Sequence, residues 1–492
     1  MKAVQYSGTI HQPVTIFELD IHQPADWLEI QVYFRIKKWQ HLFLWDPNGR
    51  LRWQYVHVHA PKTAVIHKNE KLSDYGTLPG ALPLGTWKLE VLILPEHLPV
   101  QHKLNITAGT GLCSSSGEWS NDQKQYWANA DGKAPMQANL YPMTKAKKCG
   151  PAWYRGDFHT HTAMSDGKMT VKEGMVQARK QKLDFFAATD HNLLPTMWVE
   201  DEKVLVIPGM EVTSSKGHFN ALGLTSWVDW RPTHPDGGME SEQGMNRVVS
   251  EIKKAGALFS INHPRLAASS WLFNDTSLSD IDSFEVWNDP TFPKNLQATE
   301  EALLLWNELW NAGYCVCGIG GSDCHGLPTE SYEPNGLPSV IGDPATYVYS
   351  SELSARAILQ SVKERRVYVT RGPIIDQTVE INHETFMIGE DVSDLIHRME
   401  EAVVRFKVKV DPVPGGKLLW IENGKVIDEQ LMDGSSEYES CAQWKSGEFV
   451  WRRLEIRSDT GNLLAFTNPV FSGTKPPEID TWGQLLAKAG LV

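Results

Sequence analysis

Positive charge, cysteine and long apolar runs are all scarce in this chain. Lys and Arg number 47 against 60 Asp and Glu, a formal charge of −13, which argues against a protein that wraps nucleic-acid phosphates. Six cysteines in 492 residues cannot make a disulfide framework, and Cys315-Val316-Cys317 reads as strand packing rather than redox chemistry. No stretch approaches the roughly 20 apolar residues of a membrane span, so no membrane partner is expected. The opening Met1-Lys2-Ala3-Val4-Gln5-Tyr6-Ser7 is not followed by the apolar segment of a secretion signal, which makes the cytoplasm the expected address. Repeats of solenoid period and low-complexity tracts are also missing. With 41% apolar and 22% charged residues the chain reads as an ordinary globular protein, long enough for two or three cores.

What is abundant is clustered histidine and carboxylate. His159-Thr160-His161 precedes Ser165-Asp166-Gly167, and far downstream stands Ser322-Asp323-Cys324-His325-Gly326. Between them lie Thr189-Asp190-His191-Asn192, Gly209-Met210-Glu211, Gly217-His218-Phe219-Asn220 and Ile261-Asn262-His263-Pro264. Imidazole and carboxylate suit zinc, manganese or iron, and one ion takes only about four to six ligands. His159, His161, Asp166, His191, Glu211, His218, His263, Asp323 and His325 exceed that need, so two or three divalent ions are expected. Two ions roughly 3.5–4 Å apart can share a water and ionise it, which makes hydrolysis by a metal-bridged hydroxide the expected reaction.

Most clusters follow a short apolar run that reads as a buried strand: Tyr154 to Phe158, Asp184 to Ala188, Val204 to Ile207, Ala257 to Ile261 and Tyr314 to Ile319. Helical patterns intervene over Val171 to Lys182, where Thr170 and Glu173 form a capping box, over Met245 to Lys254, and over Leu296 to Asn311. Alternating strands and helices predict a mostly parallel sheet with ligands gathered at the C-terminal strand ends.

The order HxH, SDG, TDH, GxE, GH, NHP, DxH resembles the PHP (polymerase and histidinol phosphatase) superfamily. The Gly156-Asp157-Phe158-His159-Thr160-His161 opening and the flanking regions are similar to CehA/McbA-type metallohydrolases. The likeness spans Gly156 to Gly326. It implies a distorted (β/α)7 barrel with a three-metal centre. His159, His161, Glu211 and Asp323 would hold the first metal, with Glu211 bridging to a second held by His218 and His263. Asp166, His191 and His325 would take the third. An amidohydrolase also opens with HxH but closes on an Asp without the following His ligand, whereas Asp323-Cys324-His325 supplies both.

Other groups are read more openly. Asp157 and Asp190 are candidates to orient ligand imidazoles; Asp190 is also a candidate proton shuttle or a turn residue. Arg265 could face a substrate oxyanion or pair with a surface carboxylate. Cys324 is expected as a buried, inert thiol. His57-Val58-His59 reads as an alternating strand pair rather than a metal site, and His234, His383 and His397 as surface residues.

The flanks read as β structure. A sandwich is expected over residues 1–107, with strands at Val14 to Ile21, Trp27 to Phe34, Leu51 to His59, Trp87 to Leu94 and Lys103 to Thr107. A connection over 108–148, the barrel over 149–373, a second sandwich over 374–475 and a tail over 476–492 complete the plan. Near the barrel's end, Ser354 to Arg365 reads as a helix and Val367 to Thr370 as a strand; Asn423-Gly424 signals a hairpin within the second sandwich. Trp27, Trp39, Trp45, Trp53 and Trp87 serve as core area or, alternatively, as a carbohydrate platform. The leading function is a metal-dependent hydrolase of a small amide, ester, carbamate or phosphoester. The alternatives are a PHP-type phosphoesterase and a non-catalytic carbohydrate-binding protein with a structural metal centre.

Overall fold

Alternating apolar residues at the N-terminus build two four-stranded antiparallel sheets. One is ordered Lys2–Ile10, Val100–Gly109, Trp27–Phe34, Lys62–His67; the other Val14–Ile21, Gly85–Ile93, Gln40–Trp45, Leu51–His57. The computed structural model describes residues 2–35, 39–58, 62–111, 113 and 123–491. His59 lies outside them. Trp53 and Trp87 are fully buried and Trp27 nearly so, which makes them core rather than a sugar platform. The strand Gln40–Trp45 has no exposed face: Leu42 and Leu44 enter the sandwich core while Phe43 joins the core of the central domain. Arg231 locks that contact, ion-paired with Glu90 and Asp229 and set against the rings of Trp45 (4.9 Å) and Trp227 (5.4 Å).

The central sheet runs Cys317–Gly321, Ser283–Asn288, Leu258–Ile261, Gly217–Leu222, Leu205–Ser214, Phe185–Ala188, Cys149–Asp157, Ala345–Glu352, Val367–Thr370. Its two halves are bridged by side chains: Gly320 N donates to Thr346 Oγ1 (3.0 Å), whose hydroxyl donates back to Gly320 O (2.8 Å). The expected mostly parallel sheet is not what forms. Four neighbouring pairs are parallel and four antiparallel: the hairpin from Leu205–Ser214 to Gly217–Leu222, Gly217–Leu222 with Leu258–Ile261, Cys149–Asp157 with Ala345–Glu352, and Ala345–Glu352 with Val367–Thr370. The cause is local. Ser214 pairs directly with Gly217, so two residues reverse the chain into an antiparallel neighbour, and Gly217 takes φ 124°. Helices Val171–Lys180, Glu242–Lys254, Asn295–Asn311 and Ala355–Lys363 cover this sheet, and the described residues do not show a (β/α)7 repeat.

The C-terminal β structure is joined to the central sheet rather than merely beside it. Tyr368, Val369 and Thr370 pair with Thr467, Phe466 and Ala465, so one leaf continues the central sheet. The other leaf is ordered Glu384–Phe386, Ile375–Ile381, Glu401–Val410, Glu437–Lys445. The hairpin at Asn423-Gly424 forms with both residues at positive φ, 48° and 81°. The segment expected as a tail holds a helix, Trp482–Lys488, whose Trp482 is fully buried and donates from Nε1 to Trp271 O at 2.9 Å.

Candidate metal centre

The nine candidate ligands meet at one edge of the central sheet. His159 and His161 follow the strand Cys149–Asp157, His191 follows Phe185–Ala188, His263 follows Leu258–Ile261, and Asp323 and His325 follow Cys317–Gly321. Glu211 lies within Leu205–Ser214. Because Gly217–Leu222 returns antiparallel, its first residues, His218 among them, begin at the same edge. His263 and Asp323 sit at φ 27° and 48°, a costly backbone for non-glycine residues that aims both side chains inward. Gly321 is obligatory: a Cβ there would stand 2.4 Å from His159 Cβ and 2.6 Å from Glu285 Oε1.

Glu211 is central and fully buried. Its Oε1 lies 3.3 Å from His159 Nε2, 3.2 Å from His218 Nδ1 and 3.4 Å from His263 Nε2. Its Oε2 lies 3.4 Å from His161 Nε2 and 2.6 Å from His191 Nδ1. Asp323 Oδ1 is 3.3 Å from His159 Nε2 and 3.0 Å from His161 Nε2. Asp166 Oδ1 is 3.3 Å from His191 Nε2 and 3.2 Å from His325 Nε2. Two donors about 2.1 Å from one ion stand roughly 3.0 Å apart at a right angle and 3.4 Å at a tetrahedral one. Most of these separations fall in that range. Several donor atoms, among them His159 Nε2, both His161 ring nitrogens, Glu211 Oε2 and Asp323 Oδ1, are buried without a hydrogen-bond partner. Such atoms call for a ligand, and their chemistry fits divalent ions. The donors fall into overlapping sets: His161 with Asp166, His191 and His325; His159 with His263 and Asp323; His159 with His161 and Glu211; and His191 with Glu211 and His218. His161 thus also stands with the third-metal group, a role the sequence order did not give it.

Burial disfavours charge throughout, and neighbours decide the balance. It drives His161 down to about 3, with the nearby His325 and His191 adding to the effect. At His325 burial is outweighed by Asp166 and Asp323, which raise it to about 9. At Glu211 the imidazoles of His191, His159 and His218 overcome burial and hold the carboxyl well below its usual range.

Two catalytic candidates are redirected. Asp190 is turned to the loop: it accepts from Thr162 N (2.8 Å), Thr162 Oγ1 (2.7 Å) and Ser165 Oγ (2.6 Å), holding the turn that carries Asp166. That is a structural role, not a proton shuttle's geometry. Arg265 donates to Glu301 Oε2 at 2.7 Å and toward Leu491 O, so its charge is already matched away from the ligands. Asp157 orients backbone rather than imidazole, accepting from His159 N, Ser322 N and Gly342 N; burial raises it to about 6. Cys324 is the buried thiol expected, within reach of Ser339 O and pushed by burial up to about 12.

The orienting carboxylate is Glu285, which sequence reasoning missed. Its Oε1 is 2.9 Å from His159 Nδ1, and its Oε2 accepts from His263 N (2.7 Å) and Asn288 Nδ2 (3.2 Å). Asn262 donates to Glu211 Oε1 at 2.9 Å, and Asn288 to Asp323 Oδ2 at 3.2 Å. The available signal was a lone carboxylate in the apolar run Ser283-Phe284-Glu285-Val286-Trp287. Beside the ligands opens a cavity of about 440 Å³ lined by Asp166, Lys168, His325, Glu330, Tyr332 and Ser339, a volume suited to a small molecule. Tyr332 is tied down by donating to Asp289 Oδ2 at 2.9 Å.

No family model matches the chain. A search of curated proteins returns no match. Among solved structures the chain is similar to a two-domain protein from Bacteroides vulgatus containing a predicted PHP-like metal-dependent phosphoesterase, at 19% identity over 65% of this chain and 96% of that one, with a TM-score of 0.33. It is also similar to a candidate metal-dependent phosphoesterase from Bifidobacterium adolescentis, at 17% identity over 38% of this chain and 91% of that one, with a TM-score of 0.24.

Proposed function

We propose that the chain is a metal-dependent hydrolase of the PHP type, CehA/McbA-like, acting on a small ester, amide, carbamate or phosphoester. Its curled mixed sheet is then a distorted relative of the (β/α)7 barrel. The observation that carries this is the convergence of nine buried or half-buried imidazoles and carboxylates whose spacing fits shared ions. Divalent ions held there supply Lewis acidity and lower the pKa of a water. Glu211 presents one oxygen to His159 and His218 and the other to His161 and His191, and would help hold more than one ion. His159 and His263 are fixed through Glu285, so donors stay aimed without rearrangement. Asp166 and His325 face both the centre and the cavity, which sets a bound substrate next to the ligands. Lys168, held by Glu330 at 2.8 Å, is the cation on that wall.

The test is a panel of aryl esters, anilides, carbamates and phosphodiesters, assayed before and after chelation and after return of zinc, manganese or iron. Turnover that disappears with chelation and returns with one metal supports the reading. Turnover indifferent to chelation overturns it.

A further inference from the structure

We propose that the N-terminal sandwich is a working part of the metal centre, with His41 as a positioning residue that holds the His191-Asn192 turn through the Asn192 amide. This rests on the reading of the site as a metal centre.

The strand Gln40–Trp45 carries the case. Its odd residues His41, Phe43 and Trp45 face the central domain, so a sandwich strand delivers a histidine to the back of a ligand loop. Asn192 is fully buried at φ 55°. Its amide orientation is fixed by the neighbouring strand: Oδ1 accepts from Thr213 N and Nδ2 donates to Thr213 O, both at 3.0 Å. The second N–H of that amide reaches His41 Nε2 at 3.3 Å. With the amide pinned, His41 Nε2 must be the acceptor, so His41 is neutral and carries its proton on Nδ1. Without it, a buried N–H would have no partner at the residue next to a ligand. Thr213 also meets His191 Nδ1 through its hydroxyl, so the same amide, strand and ligand are one connected unit.

Two further contacts from the sandwich grip the same loop. Gln54 Nε2 donates to Leu194 O at 2.6 Å, and Trp39 sets its ring edge-on to His191 with centroids 4.8 Å apart. His41 itself is fixed edge-on to Trp230 at 5.2 Å. A detachable module would not bury polar side chains on the loop that carries His191.

The test uses the full chain and Co²⁺ as probe, reading affinity by chelator competition and coordination by the visible spectrum. His41→Phe keeps the ring but cannot accept; it should weaken Co²⁺ binding about 10- to 100-fold and alter the spectrum. His41→Gln, which offers a carbonyl acceptor, should restore most of both. Phe43→Leu loosens the same interface without touching Asn192 and should leave both in place. The inference is overturned if His41→Phe matches the wild type, if His41→Gln falls as far as His41→Phe, or if Phe43→Leu falls equally. A wild-type chain that takes up no Co²⁺ sinks the metal-centre reading as well, which separates the two failures.

Discussion

Glu285 spends one oxygen on His159 and the other on the backbone of His263, so a single buried carboxylate sets two ligands at once. Glu285→Gln keeps the shape but replaces an acceptor with a donor. One of the two bonds is then lost, and metal affinity should fall about 10- to 100-fold with the circular dichroism unchanged. Equal affinity in a chelator competition would show that the carboxylate is only packing. His325 gives a pH signature. Its folded pKa of about 9 lies above the ordinary 6.5, so in the metal-free protein the charged form stabilises the fold fully below 6.5, and that stabilisation is lost as pH rises through 9. A metal requires the neutral ring, so binding at pH 7.5 must expel this proton, and apparent affinity should climb with pH until about 9. Calorimetry in buffers of different ionisation enthalpy should report that release, reduced in His325→Asn. Identical heats for both proteins would refute it.

At the scale of elements, the strands and helices that sequence patterns reveal are those with one clear signal. The capping box at Thr170 and Glu173, the Asn423-Gly424 turn and the apolar strand ends before His159, His191 and His263 were legible. Gln40–Trp45 was not, because both its faces are buried and alternation vanishes. Ser283–Asn288 was hidden by Glu285, a charge that makes sense only beside ligands brought from distant segments. Leu205–Ser214 runs on past Ile207 into a hairpin, since nothing before Gly217 separates a tight turn from a loop into a helix. The candidate ligands that meet in one place were legible because they stand in compact clusters. For Asp190 and Arg265 the sequence left a turn role and a carboxylate pairing open beside catalytic ones, because Thr162, Ser165 and Glu301 meet them only in three dimensions. The terminal helix is the most testable element. Trp482→Ala removes a fully buried indole and its bond to Trp271 O, and should cost about 3–5 kcal/mol in denaturant unfolding. A loss below about 1 kcal/mol would mean the helix is only loosely docked.

At the scale of the whole molecule, three β-rich parts are fastened into one support for a single pocket. The C-terminal leaf extends the central sheet through Val367–Thr370, and the N-terminal sandwich grips the loop behind His191. Arg231 closes the second contact between Glu90 of the sandwich and Asp229 of the central domain. No helix among the described residues is long and apolar enough to cross a membrane. No disulfide joins the described cysteines, so cohesion rests on packing, ion pairs and hydrogen bonds. The pocket that results gathers its donors from segments spanning residues 159 to 325. The most direct measurement is anomalous scattering from crystals grown with zinc or manganese, collected at the metal edge. Two or three peaks are expected within about 2.0–2.2 Å of the named nitrogens and oxygens, with Glu211 between two of them. A pocket with all nine side chains in place and no anomalous peak would contradict it.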